Sequence, residues 1–148
     1  MFSWLFSNPL AVGTPAPPFI LPDEEGSVFV LNLHRNRNVV LIFYPGDETP
    51  ICRAQLCQVR DRWELVQKSN TLVFGVNPQP SESHSRFKQR HSLPFPLLVD
   101  NGQRVARLYH AHGLIVKRTV YLIGGDGLIH FSRRGKPPIE EVLAAAHS

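Results

Sequence analysis

The six residues Val39-Val-Leu-Ile-Phe-Tyr44 form the longest unbroken apolar run of the chain, and they limit its folds most severely. A strand with one face in water alternates apolar and polar side chains. A run without a polar position, β-branched at its start, fits a strand covered on both faces, with helices on each side. The run is far too short for a bilayer, which takes roughly 20 residues.

The remaining segments supply the covering layers. Residues 9–18 hold four prolines and read as an extended lead-in. Phe19-Ile-Leu21 and Val28-Phe-Val30 flank a Pro-Asp-Glu-Glu-Gly turn, the pattern of a small hairpin. From Pro50 to Lys68 the period changes: Leu56, Val59, Trp63 and Val66 recur at three- and four-residue steps, which predicts one helix. Thr49 is its N-cap and Pro50 its first residue. Thr71–Val76 reads as a second buried strand, and Ser81–His91 as a short polar helix anchored by Phe87. Pro94–Val99 reads as a third strand, placed by its prolines at an edge or a start. Gln103–His110 is expected to be helical, presenting Val105 and Leu108. Thr119–Ile123 and Leu128–Phe131 surround Gly-Gly-Asp-Gly, a strong hairpin signal. Pro137–Ala146 closes the chain as a helix. This order predicts an α/β fold: a three-layer domain with a mixed central sheet flanked by helices and an N-terminal β-hairpin.

Length and composition narrow the function. The 148 residues suit one domain over 1–148, with residues 1–11 as an N-terminal extension. An apolar fraction of 43% argues against a wholly disordered chain, and two cysteines cannot staple a secreted scaffold. The net charge of +4 comes from scattered cations with no interleaved aromatics, so no nucleic-acid partner is expected. The first ten residues lack the positive n-region of a secretory signal, and no membrane span is expected. Phe2, Leu5 and Phe6 would share one face of a helical turn that caps the core or touches a membrane or a partner subunit, or they would fray. The default compartment is cytoplasmic, where thiols stay reduced unless they have a redox task.

The chemistry-bearing segment is Tyr44-Pro-Gly-Asp-Glu-Thr-Pro-Ile-Cys-Arg-Ala-Gln-Leu-Cys57. With Thr49 as N-cap, Cys52 falls in the first helical turn, near free backbone N–H groups and the positive end of the helix dipole. That position favours the thiolate, the form that peroxides oxidise. Arg53 adjoins it, and Arg118 is within reach from a neighbouring strand. Cys57 lies five residues on, about 7.5 Å along a helix axis and about 140° around it. A Cys52–Cys57 disulfide would therefore require the first helical turns to unwind. Two helical cysteines at this spacing also fit small, inert core residues. Zinc is not expected, because His34, His84, His91, His110 and His112 show no ligand spacing to either cysteine. Tyr44, Trp63, His84 and Asp126 take simple readings: strand end, core, amphipathic helix and turn.

The segment resembles the peroxiredoxin signature Pro-x-x-x-Thr/Ser-x-x-Cys, here Pro45, Thr49 and Cys52. It is most similar to the peroxiredoxin Q, or bacterioferritin comigratory protein, group. Phe43, Tyr44, Asp47, Pro50, Cys57, Arg60 and Asp61 extend the likeness. Gly75-Val76, Ser83-His84, Phe87 and Leu93–Leu98 before Asp100 continue it, as does Arg118 three residues before Tyr121.

The resemblance implies a thioredoxin-like fold and a thiol peroxidase for hydrogen peroxide and organic hydroperoxides, without cofactor or metal. It gives Cys52 as the peroxidatic cysteine and Cys57 as the resolving one. Thr49 would bond the peroxide, Arg118 would stabilise thiolate and leaving oxygen, and Pro45 would shield the pocket. The reductant would be thioredoxin or a similar dithiol donor. The chain would act as a monomer or weak dimer, since an intramolecular cysteine pair needs no second subunit. Ile51, Arg53, Gln55, Asn77 and Gln79 depart from the usual Gly, Thr, Glu, Ser and Asp. A non-catalytic redox sensor or partner-binding module using the same cysteine pair is the competing reading.

Overall fold

Side chains from the Val39–Tyr44 run divide strictly between two cores. Val39, Leu41 and Phe43 enter one hydrophobic cluster, and Val40, Ile42 and Tyr44 enter the other. Alternate residues of a strand point to opposite faces, so both faces of this strand are sealed. In the computed structural model, which describes residues 8–34 and 36–146, it is β3 (Asn38–Phe43) at the centre of a five-stranded sheet. The predicted turn at Phe2, Leu5 and Phe6, and with it most of the 1–11 extension, lies outside the described residues.

The sheet runs β5 (Leu97–Val99), β4 (Thr71–Asn77), β3, β6 (Thr119–Ile123), β7 (Ile129–Arg134). The pairs β3–β4 and β4–β5 are parallel, while β3–β6 and β6–β7 are antiparallel. The sheet is thus mixed, and the proline-led strand is at its edge, both as expected. The hairpin β1 (Ile20–Pro22) and β2 (Val28–Val30) lies with α4 (Arg104–Leu108) over one face, through Leu21, Phe29, Val105 and Ala106. The other face carries α1 (Pro50–Asp61), α2 (Trp63–Lys68), α3 (Ser81–His91) and α5 (Ile139–Leu143), through Leu56, Val66, Phe87 and Val142. The lead-in runs along the sheet end: Gly13 N–H donates to Ile129 O at 2.8 Å, and Ala16 N–H to Gly127 O at 2.9 Å.

Three expectations need correction. The single helix over 50–68 is two helices, broken at Arg62 (φ −111°, ψ 22°), where the Arg62 N–H bonds back only three residues to Val59 O. Both pieces keep their apolar stripe on the same core, and Trp63 meets Phe95 with centroids 5.7 Å apart. Leu108 is about half exposed rather than buried; Val105, Ala106 and Tyr109 make the contacts instead, and Tyr109 donates its hydroxyl to Pro17 O at 2.7 Å. The last helix is short, Ile139–Leu143, with Ile139 and Val142 buried in the core and Leu143 packed against it.

The hairpin is tied to the sheet edge by one buried carboxylate. Glu24 accepts from Leu97 N–H at 3.0 Å and from Lys88 Nζ at 2.9 Å. Burial pushes its pKa up, but these two partners prevail and hold it below the ordinary 4.5. The stabilisation is therefore present above pH 4.5 and lost as pH falls through the lower folded value. Glu24→Ala should cost about 3 kcal/mol in urea unfolding. Glu24→Gln should lose less stability than the wild type on acidification from about pH 5.

Candidate active site

Where β3 ends, Tyr44 must turn the chain out of the sheet into α1. Its ring crosses β4 over Gly75, where an added Cβ would come within 2.8 Å of Leu97 and 2.9 Å of the Tyr44 ring. Only glycine leaves this passage open. The buried Tyr44 hydroxyl then donates to Asp47 Oδ1 at 2.6 Å. The loop Pro45–Thr49 follows, with Pro45 half-buried and Thr49 exposed.

Thr49 caps α1 as expected. Its backbone is extended (φ −73°, ψ 143°), its Oγ1 accepts from Cys52 N–H at 3.4 Å, and Pro50 takes the first helical position. Cys52 is fully buried in that first turn, and both cysteines are free. Arg118, immediately before β6, reaches the sulfur: its Nη2 lies 3.2 Å from Cys52 Sγ. Its Nη1 donates to Gln55 Oε1 at 2.8 Å. Gln55 in turn donates to Gly135 O at 3.5 Å, and Gly135 N–H to Arg118 O at 2.8 Å. A neutral amide thus orients the guanidinium, leaving the full positive charge directed at the sulfur. Arg53 is solvent-exposed.

Cys57 is half-buried one and a half turns further along an unbroken α1, against the same cluster as Cys52. The structure therefore brings Cys52, Thr49 and Arg118 together at one point, while Cys57 stands apart along the helix. Among the described residues no three His, Cys, Asp or Glu side chains group as a metal site, and no helix is long and apolar enough to cross a membrane.

Beneath the loop lies a polar centre that sequence reasoning missed. His84 is fully buried, with Nδ1 2.7 Å from Asp47 Oδ2 and Nε2 2.9 Å from Leu98 O. Each ring nitrogen thus faces an oxygen, so His84 bridges the Asp47 carboxylate and the β5 backbone. Burial would raise the Asp47 pKa, but His84, Ser83 and Tyr44 outweigh it and keep the carboxyl below its ordinary range. The same contact and the burial push the Tyr44 phenol well above its usual value. The available signal was spacing: His84 stands three residues before the core anchor Phe87, hence on the same helical face.

The AhpC/TSA family pattern matches residues 12–132, which span nearly all the elements described above. The chain belongs to the AhpC/TSA family. Its relatives are peroxiredoxins of the Q/Bcp type. It is 35% identical to a putative peroxiredoxin Bcp of Coxiella burnetii, covering 81% of this chain and 85% of that one. It is 32% identical to peroxiredoxin Bcp of Bacillus subtilis over 80% and 81%. Against the chloroplastic peroxiredoxin Q of Sedum lineare it is 36% identical over 79% of this chain, spanning 65% of that relative's length. The crystal structure of peroxidoxin BcpB from Mycobacterium tuberculosis superposes with a TM-score of 0.85 at 26% identity, over 92% and 96% of the two chains. The thioredoxin-like arrangement expected from the resemblance is the one found.

The Arg118 contact has a measurable consequence without any peroxide. In a Cys57→Ser background, Arg118→Ala should slow alkylation of Cys52 by iodoacetamide about tenfold, equivalent to about 1.4 kcal/mol. Gln55→Ala should act in the same direction by about threefold. Both are read from pseudo-first-order alkylation rates at neutral pH.

Proposed function

We propose that this chain is a thiol peroxidase that reduces hydrogen peroxide and organic hydroperoxides. The observation that carries the reading is the convergence of Cys52 Sγ, the Arg118 guanidinium 3.2 Å away, and a helix start capped by Thr49. The cation and the helix N-terminus both lie against the sulfur, where they stabilise negative charge developing during attack. The Cys52 sulfur attacks the terminal peroxide oxygen. The O–O bond breaks, Cys52 becomes a sulfenic acid, and the leaving oxygen takes a proton as water or alcohol. Arg118 stabilises charge on both sulfur and leaving oxygen, and Thr49 aligns the breaking bond. Pro45 limits water at the sulfenic acid.

Cys57 then resolves the intermediate. Its thiolate attacks the sulfenic sulfur, water leaves, and a Cys52–Cys57 disulfide forms. This step requires the first turns of α1 to unwind, because helical geometry keeps the two side chains apart. A thioredoxin-like dithiol restores both thiols by exchange. The chain does this as one peroxiredoxin domain, a monomer or weak dimer, in a reducing compartment such as the cytoplasm.

Peroxide consumption by the reduced wild type, Cys52→Ser and Cys57→Ser, with product mass analysis, tests the scheme. Wild type should turn over with a thioredoxin system. Cys52→Ser should consume no peroxide, and Cys57→Ser should stop after one equivalent with an oxygenated Cys52. If wild type oxidises once and does not turn over, the redox-sensor reading replaces this one. If Cys52→Ser consumes peroxide as fast as wild type, the assignment fails.

A further inference from the structure

The loop that presents Thr49 is held from below by α3, through residues that take no part in the proposed steps. Asp47 receives four side-chain hydrogen bonds. Tyr44 Oη (2.6 Å) and Asn77 Nδ2 (3.3 Å) donate to its Oδ1, and Ser83 Oγ (2.6 Å) and His84 Nδ1 (2.7 Å) to its Oδ2. Its own backbone N–H donates to the side-chain oxygen of Gln79. The Asp47 and His84 side chains are 1% and 0% exposed.

The neighbouring Glu48 has a left-handed backbone (φ 64°), a conformation that a glutamate adopts only when its surroundings impose it. Its carboxylate meets Arg90 Nη1 and His91 Nε2 at 3.0 Å each, at the far end of α3. Those contacts are partly solvated and weak. The sealed pair at Asp47 is the stronger hold on the loop.

Burying such a polar pair adds little net stability, because desolvation consumes most of the attraction. A fully satisfied buried network is well suited to fixing one arrangement among several. Here that arrangement is the backbone of Gly46–Thr49, with Asp47 two residues before Thr49, whose hydroxyl caps Cys52. We infer that Asp47, through its buried contact with His84, is a positioning residue that sets the Thr49 hydroxyl and the Cys52 sulfur on a common bound peroxide. This rests on the peroxidase reading above. Arg118 acts on the charge of the sulfur, whereas Asp47 acts on the alignment of its target.

The two effects separate in one experiment on the full chain in a Cys57→Ser background. Second-order rates of Cys52 oxidation by hydrogen peroxide are measured beside rates of alkylation by iodoacetamide, which needs the sulfur anion but no aligned O–O bond. Asp47→Ala should lower the peroxide rate at least tenfold, as a misplaced catalytic contact does. Its alkylation rate should stay within about twofold of the parent. Asp47→Asn, whose amide can donate to a neutral His84, should recover part of the loss. Ser83→Ala removes one bond to the same carboxylate without stranding a charge, and should lower the peroxide rate about threefold with alkylation unchanged. It carries the test if Asp47→Ala does not fold by circular dichroism. Peroxide and alkylation rates that fall together, or peroxide rates that do not change, overturn the inference. A parent protein that reduces no peroxide overturns the peroxidase reading, and the positioning role with it.

Discussion

The burial of β3 on both faces is the constraint from which the rest of the architecture follows. A strand in that position must have partners along both edges and packing layers above and below, and each side chain from Val39 to Phe43 is assigned to one core or the other. The next residue, Tyr44, is buried and cannot reach water, so its hydroxyl needs an internal acceptor. Asp47 provides it, three residues on, and needs counter-charge and donors in turn. The polar centre under the active loop therefore grows out of the sheet's own hydrophobic requirement.

In the proposed cycle the helix start above that centre serves two opposed demands. Holding Cys52 against Arg118 calls for a well-formed first turn, which Thr49 and Pro50 supply. Joining Cys52 to Cys57 calls for the loss of that turn. A single side-chain cap contributes about 1 kcal/mol, enough to set the resting geometry without making local opening prohibitive. Ile51, half exposed in the same turn, places a β-branched residue in it.

Much of this was legible in the residues, for physical reasons that differ from place to place. The β3 run declares itself because two-sided burial leaves no polar position, and the start of α1 because Thr-Pro carries cap chemistry. The break at Arg62 was hidden: apolar spacing reports which face is buried, and Trp63 and Val66 keep that face after the backbone has kinked. Leu108 misled for the opposite reason, since a helix of barely more than one turn has no need to bury every apolar side chain on its stripe. The Asp47–His84 pair joins residues 37 positions apart, and neither is unusual in its local segment. Arg118 was legible as a cation on a neighbouring strand, and the resemblance supplied its role; the tie through Gln55, which sets its direction, depends on tertiary placement.

The kink at Arg62 has a mechanical side. Two consecutive helices joined by one non-helical residue do not share a continuous hydrogen-bond ladder, so fraying at the front of the first is not passed on to the second. The Trp63–Phe95 contact and the buried Val66 belong to the second helix, so the proposed opening around Cys52 would leave them docked on the sheet. With Asp47 fastened at the other end, the segment that opens during the proposed cycle is bounded on both sides like a panel between two hinges. Its ends keep their places, and the chain can close again along the path by which it opened.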